Sequence, residues 1–188
     1  MERIGAPWAS ISKGAFVARV MADQHYNRQT PGAASWTRPG YNLVLFAQFP
    51  AGRALWCWWR PAWNSGIPGT ERKDRFRVLE CTLFRVEGRV PLASSLIRAA
   101  VAYLAGPCPE LRRDAAGPIV AGITGVAAAA TARRRSRRHE PGHCYRMAGW
   151  LPFQKRQGRA DTWLWTPLPS GAADERRQLL LLQRGDTE

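Results

Sequence analysis

Apolar and polar residues recur with two different periods along this chain, and each change of period marks an element. Phe16, Val17, Val20 and Met21 stand at helical spacing and predict a helix from Lys13 to His25, capped by Ser12. Its end is polar, His25-Tyr26-Asn27-Arg28, and the breakers Pro31-Gly32 and Pro39-Gly40 make Thr30 to Gly40 a loop. Tyr41 to Phe49, apolar without interruption over Leu43-Val44-Leu45-Phe46, reads as a strand. Pro50-Ala51-Gly52 turns it into a second strand over Ala54 to Trp59. Past a loop carrying Pro61, Gly66, Pro68 and Gly69, the most regular alternation of the chain runs from Arg75 to Val86. Phe76, Val78, Glu80, Thr82, Phe84 and Val86 point one way, and Arg77, Leu79, Cys81, Leu83 and Arg85 the other. Both sides are apolar in the middle, which predicts a central strand covered on both faces.

The second half repeats these signals more briefly. Gly88 turns the chain, and Pro91 opens a helix whose Leu92, Leu96, Ala99, Ala100 and Tyr103 share one face. Gly106-Pro107 ends it. Residues 107 to 116 read as a loop and Pro118 to Thr124 as a strand. A short helix of about Cys144 to Ala148 lies between Pro141-Gly142 and Gly149. Leu151 to Lys155 and Thr162 to Thr166 flank Gln157-Gly158 as a hairpin. The expected organisation is one domain over residues 1–169 with a tail over 170–188, of fold class α/β: a mixed, mostly antiparallel sheet with helices on both faces.

Composition adds a partner to this outline. The 188 residues hold 28 Lys+Arg against 14 Asp+Glu, a net charge of +14. The basic residues are mostly arginines, which contact phosphate bidentately, so a polyanion is the expected partner and DNA the chief candidate. Arg133-Arg134-Arg135-Ser136-Arg137-Arg138-His139 is too dense to bury. It is either a solvated loop or a phosphate clamp formed by Arg134, Arg135, Arg137 and Arg138. There is no apolar run of membrane-spanning length and no signal-type leader, so the expected location is the cytosol, with no membrane contact. The cysteines Cys57, Cys81, Cys108 and Cys144 form no CxxC pair and read as isolated thiols. The histidines share no ligand spacing, and no metal is assigned. Trp56, Trp58, Trp59 and Trp63 read as core and loop-packing residues rather than stacking platforms.

Tyr145-Arg146-Met147-Ala148-Gly149-Trp150 resembles the Tyr-x-x-x-Gly-Phe motif of the GNAT acyltransferase superfamily. The order helix, two hairpin strands, long central strand, helix, strand, short helix, hairpin resembles the same fold. The resemblance implies a single GNAT-like domain using coenzyme A thioesters such as acetyl-CoA, with Tyr145 near the donor's sulfur. It also implies a pyrophosphate site where the long strand meets the following helix, over Val86 to Ser95. Backbone N–H groups and a helix dipole accept phosphate there. This places Gly88, Arg89, Val90 and Ser94 as the cofactor-binding residues. The segment departs from the family's Arg/Gln-x-x-Gly-x-Gly/Ala pattern, with one glycine and Pro91. Either fewer amides hold the pyrophosphate, together with Arg89 and Ser94, or the donor differs.

Within that superfamily the chain is closest in character to the Mom-like phage DNA-modification proteins. It shares with them a His-Tyr-x-Arg end to the first helix, here His25, Tyr26, Asn27 and Arg28. That likeness implies modification of an adenine amine in DNA, shielding it from restriction, with these four residues at the nucleic acid. Glu80, mid-strand among apolar neighbours, is either a general base whose pKa burial raises or one half of a salt bridge with an arginine. The reading is an amine-directed transferase in which Glu80, or a water it holds, removes the amine proton and Tyr145 protonates the leaving thiolate. Two rivals stand beside it: an acetyl-CoA-dependent acetyltransferase of small amines or protein lysines, and a non-catalytic basic nucleic-acid-binding protein.

Overall fold

A computed structural model of the chain describes residues 7–25, 32–33, 35–61, 78–104, 113–114, 117–118, 121–127, 142–155 and 161–168. Their elements are β1 (Ala9–Ile11), α1 (Phe16–Asp23), β2 (Gly40–Phe49), β3 (Ala51–Pro61), β4 (Val78–Arg89), α2 (Ala93–Tyr103), β5 (Arg113–Asp114), β6 (Gly117–Pro118), β7 (Ala121–Ala127), α3 (His143–Met147), β8 (Leu151–Lys155) and β9 (Asp161–Pro167). Seven strands form one open sheet in the order β1-β2-β3-β4-β7-β9-β8. All its pairings are antiparallel except β4 with β7.

From Val78 onward the long alternating segment is the middle strand of the seven, as its apolar character on both sides requires, while Arg75 to Arg77 lie outside the described residues. On one face, Leu43, Leu45, Trp56, Trp58, Leu79 and Cys81 pack with Leu96, Ile97 and Ala100 of α2 and with Tyr145 and Trp150 around α3. On the other, Val44, Leu55, Cys57 and Leu83 receive Ala18, Met21 and Ala22 of α1. Helices therefore cover both faces. A third cluster, Trp59, Val78, Ile123, Trp163 and Trp165, lies where β3, β4, β7 and β9 run side by side.

Several details depart from the hydrophobic pattern. The alternation in β4 breaks at Thr82: Trp58 pairs with Cys81 and Cys57 with Leu83, leaving Thr82 as an additional residue. This bulge reverses the parity. Leu79, Cys81, Phe84 and Val86 share the α2–α3 face, while Leu83 turns to α1. The first helix starts at Phe16 instead of Lys13. Ser12 shapes the preceding turn, its Oγ accepting the Gly14 N–H at 3.1 Å. The buried face of α1 is its small one, Ala18 and Ala22 with Met21, because alanine lets the helix approach the sheet; Phe16 stays 83% exposed.

Pro91 precedes α2, whose N-cap is Leu92. Gly88 does not end the strand. It still pairs with Gly52, at φ 71°, where a Cβ would clash with the Ala51 carbonyl oxygen. Its conformation serves the close approach of the β2–β3 turn. The strand expected over 118–124 enters the sheet as Ala121–Ala127, and Gly117–Pro118 pairs instead with Arg113–Asp114 of the segment expected as loop, in a small ribbon. The tail at 170–188 lies outside the described residues.

Candidate functional site

Among the described residues, the parallel pair β4–β7 is joined over Val78↔Ala121, Leu79↔Gly122 and Glu80↔Ile123. The bulge at Thr82 follows at once. A bulge bends its strand and increases its twist, and β4 stays bound to β3 beyond it, so β4 swings away from β7. At the parting, the Thr124 hydroxyl donates to the Cys81 carbonyl at 3.1 Å, in place of the next ladder bond. Both residues are buried, so this bond satisfies an acceptor that the fork would otherwise orphan.

A cavity of about 240 Å³ fills the fork. Cys81 to Val86 line one wall and Thr124 to Val126 the other. Ala93 at the start of α2, Gly142, Cys144 and Tyr145 of α3, and His25 beyond α1 complete it. The cavity thus reaches elements from both faces of the sheet.

Local sequence explains why α3 stands there. Gly142 adopts φ 79° at the N-cap. A Cβ on it would lie 2.5 Å from Leu164 Cδ1, so only glycine lets the helix start this close to β9. Gly149, at φ 91°, ends it. The Trp150 N–H donates to the Tyr145 carbonyl at 3.0 Å and the Gly149 N–H to the Arg146 carbonyl at 2.9 Å, a Schellman stop. Tyr145 is thereby wedged between Trp150 and Phe84, at ring-centre distances of 5.1 and 6.2 Å. Its hydroxyl meets the Cys81 sulfur at 3.4 Å. Burial holds the Cys81 thiol well above its ordinary pKa and pushes that of Cys57 up to about 12, so both remain S–H at neutral pH.

Glu80 and Cys81 are consecutive in an extended strand, so Glu80 points to the face opposite Tyr145. The structure does not bring these two side chains together; it sets them on the two sides of the fork's apex. Glu80 is 4% exposed, and Arg38 Nη1 donates to its Oε2 at 2.8 Å. Burial raises its pKa, and the Arg38 charge and hydrogen bond oppose that rise without cancelling it.

His25 is buried at the α1 end of the cavity. Arg85 donates to the Gln24 carbonyl at 2.5 Å, to Gln24 Oε1 at 2.9 Å and to Glu87 at 2.8 Å, while Arg53 holds Glu87 from the other side at 2.6 Å. This ionic chain pins the end of α1 to β4, and with it the residue after Gln24. Desolvation is the largest single influence on the Glu87 carboxyl and raises its pKa, but the hydrogen bonds and charges of Arg85 and Arg53 together outweigh it and hold the pKa below its usual value.

Among the residues expected to hold a pyrophosphate, Gly88, Arg89 and Val90 continue along β4 or leave its end, and Ser94 stands in the first turn of α2. The cavity lining reaches that region at Ala93. Because Pro91 lies before the helix, the N–H groups of Ala93 and Ser94 precede the first intrahelical bonds, which Ser95 and Leu96 give to Leu92. Tyr26, Asn27, Arg28, Arg134, Arg135, Arg137 and Arg138 lie outside the described residues. Arg38, Thr124 and Arg85 escaped the sequence reading, since their roles depend on partners about forty or more positions away. Trp56, Trp58 and Trp59 are core residues, as expected. No helix among the described residues is long and apolar enough to cross a membrane.

No family model matches this sequence, and no curated protein matches it in sequence.

Proposed function

We propose that this chain is a GNAT-like transferase that moves an acyl-type group from a thioester to an amine, with a nucleic-acid base as the acceptor. The observation that carries the reading is the fork: among the described residues, one parallel pair in an otherwise antiparallel sheet, parted by a bulge, with a tyrosine from the late short helix at its apex. The strand order and this opening support the resemblance in the Tyr145–Trp150 motif, since a GNAT sheet splays after its fourth strand to admit the donor's arm.

The residues present fit such a donor at the fork and less well at the expected phosphate turn. The fork offers a narrow slot between two strand edges that have left each other's ladder, suited to an extended amide-bearing arm. Where phosphates would sit, the first-turn amides of α2, Ser94 and exposed Arg89 are the groups available; Gly88 is committed to the β2–β3 turn. A bound thioester would supply an activated acyl group. The residues of the chain would do the rest. Tyr145, already hydrogen-bonded to a sulfur, would hold its proton for a departing thiolate, whose pKa of about 8.5 is close to a phenol's value of about 10. Glu80, raised in pKa by burial but not among the residues lining the cavity, would take the proton shed by the amine through a water it holds.

The acceptor class rests on the net charge of +14, which a transferase of small amines has no need of. The test is mass spectrometry of nucleosides from DNA of cells expressing the protein, alongside free-thiol release from acetyl-CoA. A new adduct mass is expected. Thiol release that needs only small amines or lysine peptides would move the function to an ordinary acetyltransferase. DNA binding with no turnover would make the chain a binding protein.

A further inference from the structure

Arg38 is held more firmly than a half-exposed arginine ordinarily is. Its Nη1 donates to Glu80 at 2.8 Å, and its guanidinium lies 4.8 Å from the centre of the Trp59 ring. The backbone beneath it is tied on both sides of the proline. Asn42 Nδ2 donates to the Arg38 carbonyl at 2.9 Å, and the Trp59 indole N–H to the Pro39 carbonyl at 2.8 Å. Glu80 itself is buried at the last rung before the fork, yet the Arg38 side chain remains 52% exposed. A free surface arginine loses much rotamer entropy on binding, whereas this one has already been ordered by its surroundings.

Neutralising Glu80 explains one guanidinium nitrogen. It leaves the remaining N–H groups of a side chain that is 52% exposed without a role. We infer that Arg38 is an oxyanion-binding residue whose remaining N–H groups take a backbone phosphate of the nucleic acid, so that the target nucleotide is seated on the Glu80 side of the fork. This rests on the transferase reading for the identity of the partner. The placement agrees with it: α2, where a donor's phosphates would sit, packs on the opposite face from Glu80. Arg38 would then join acceptor to base through one side chain, since a phosphate drawn onto its outer edge weakens its hold on the Glu80 charge.

The probes are a mixed-sequence DNA duplex and coenzyme A, each titrated against the full chain over a range of KCl concentrations. Two variants are compared with the wild type. Arg38→Gln removes the charge but leaves Glu80 buried without its cation, which can damage folding. The double variant Arg38→Gln/Glu80→Gln replaces the ion pair with a neutral hydrogen-bonding pair and keeps the test valid in that case. Both should weaken DNA binding alike across sequences and lower the slope of log K against log salt by about 1, as the loss of one phosphate contact requires. Coenzyme A binding should be unchanged. If the folded double variant keeps the wild-type slope, Arg38 is only the counter-ion of Glu80. A loss confined to coenzyme A would overturn the assignment to the acceptor. If the wild type binds no DNA, this inference and the nucleic-acid reading fall together.

Discussion

Replacing Tyr145 by Phe takes away one oxygen and leaves the ring among Trp56, Phe84 and Trp150 as it stands. The oxygen lies 3.4 Å from the Cys81 sulfur, a weak partner, and loss of that bond should cost about 0.5–1 kcal/mol. For a chain of this length that lowers the melting temperature by about 1–4 °C. Removing the ring is a different matter. Tyr145→Ala would open a cavity in the aromatic cluster and cost about 3–5 kcal/mol, so the Ala variant cannot report on chemistry. If the phenol is the acid that protonates the departing sulfur, Tyr145→Phe should lower turnover by about 10²–10⁴-fold. DNA binding should be retained. Thermal melting, duplex binding and thiol release from acetyl-CoA, all on one preparation, separate the two roles. Undiminished turnover in a Phe variant that melts a degree or two early would refute the acid assignment and leave Tyr145 as a packed core residue.

Glu80 has a folded pKa above its ordinary 4.5, so the folded chain binds the proton more tightly than the unfolded one does. Its contribution is therefore fully present below pH 4.5 and is lost as pH rises through the raised value; Glu80→Gln should melt higher than wild type near neutrality, with the difference shrinking on acidification. Equal pH profiles of melting for the two proteins would contradict this. In Thr124→Val the hydroxyl that satisfies the Cys81 carbonyl disappears at constant shape, which should cost about 1–3 kcal/mol in urea unfolding; a neutral result would mean water takes its place. Gly88→Ala forces a Cβ against the backbone of Ala51 and Gly52 at positive φ, where strain alone is worth about 1–3 kcal/mol; a stable Ala variant with impaired coenzyme A binding would return Gly88 to the donor site.

Where periodicity is strong, the elements stand where it puts them. β2, β3 and the middle of β4 are runs that water rejects on both sides, and such runs have few places to go but the centre of a sheet. Gly149 stops α3 because an αL residue was needed there, and glycine adopts that state without steric penalty. These outcomes depend on residues close together in sequence. The wrong side chosen for Phe16 shows the limit of that reasoning. Helical spacing marks several stripes on α1, and the sheet selected the one that let the backbone come nearest.

The site belongs to the second kind of information. No local pattern says that β4 should lie parallel to β7 or part from it after Glu80 and Ile123, because that pairing joins segments about forty positions apart. Nor does alternation reveal a bulge, which is a mismatch between two strands and exists only once their register is set. The same holds for the pairing of Glu80 with Arg38, across 42 positions, and of Arg85 with Gln24, across 61. The sequence alone could mark Tyr145 and Glu80 as unusual for their surroundings. Which face each would take was decided by the strand, since neighbouring residues in an extended chain must point apart and Cys81, not Glu80, turned toward the phenol.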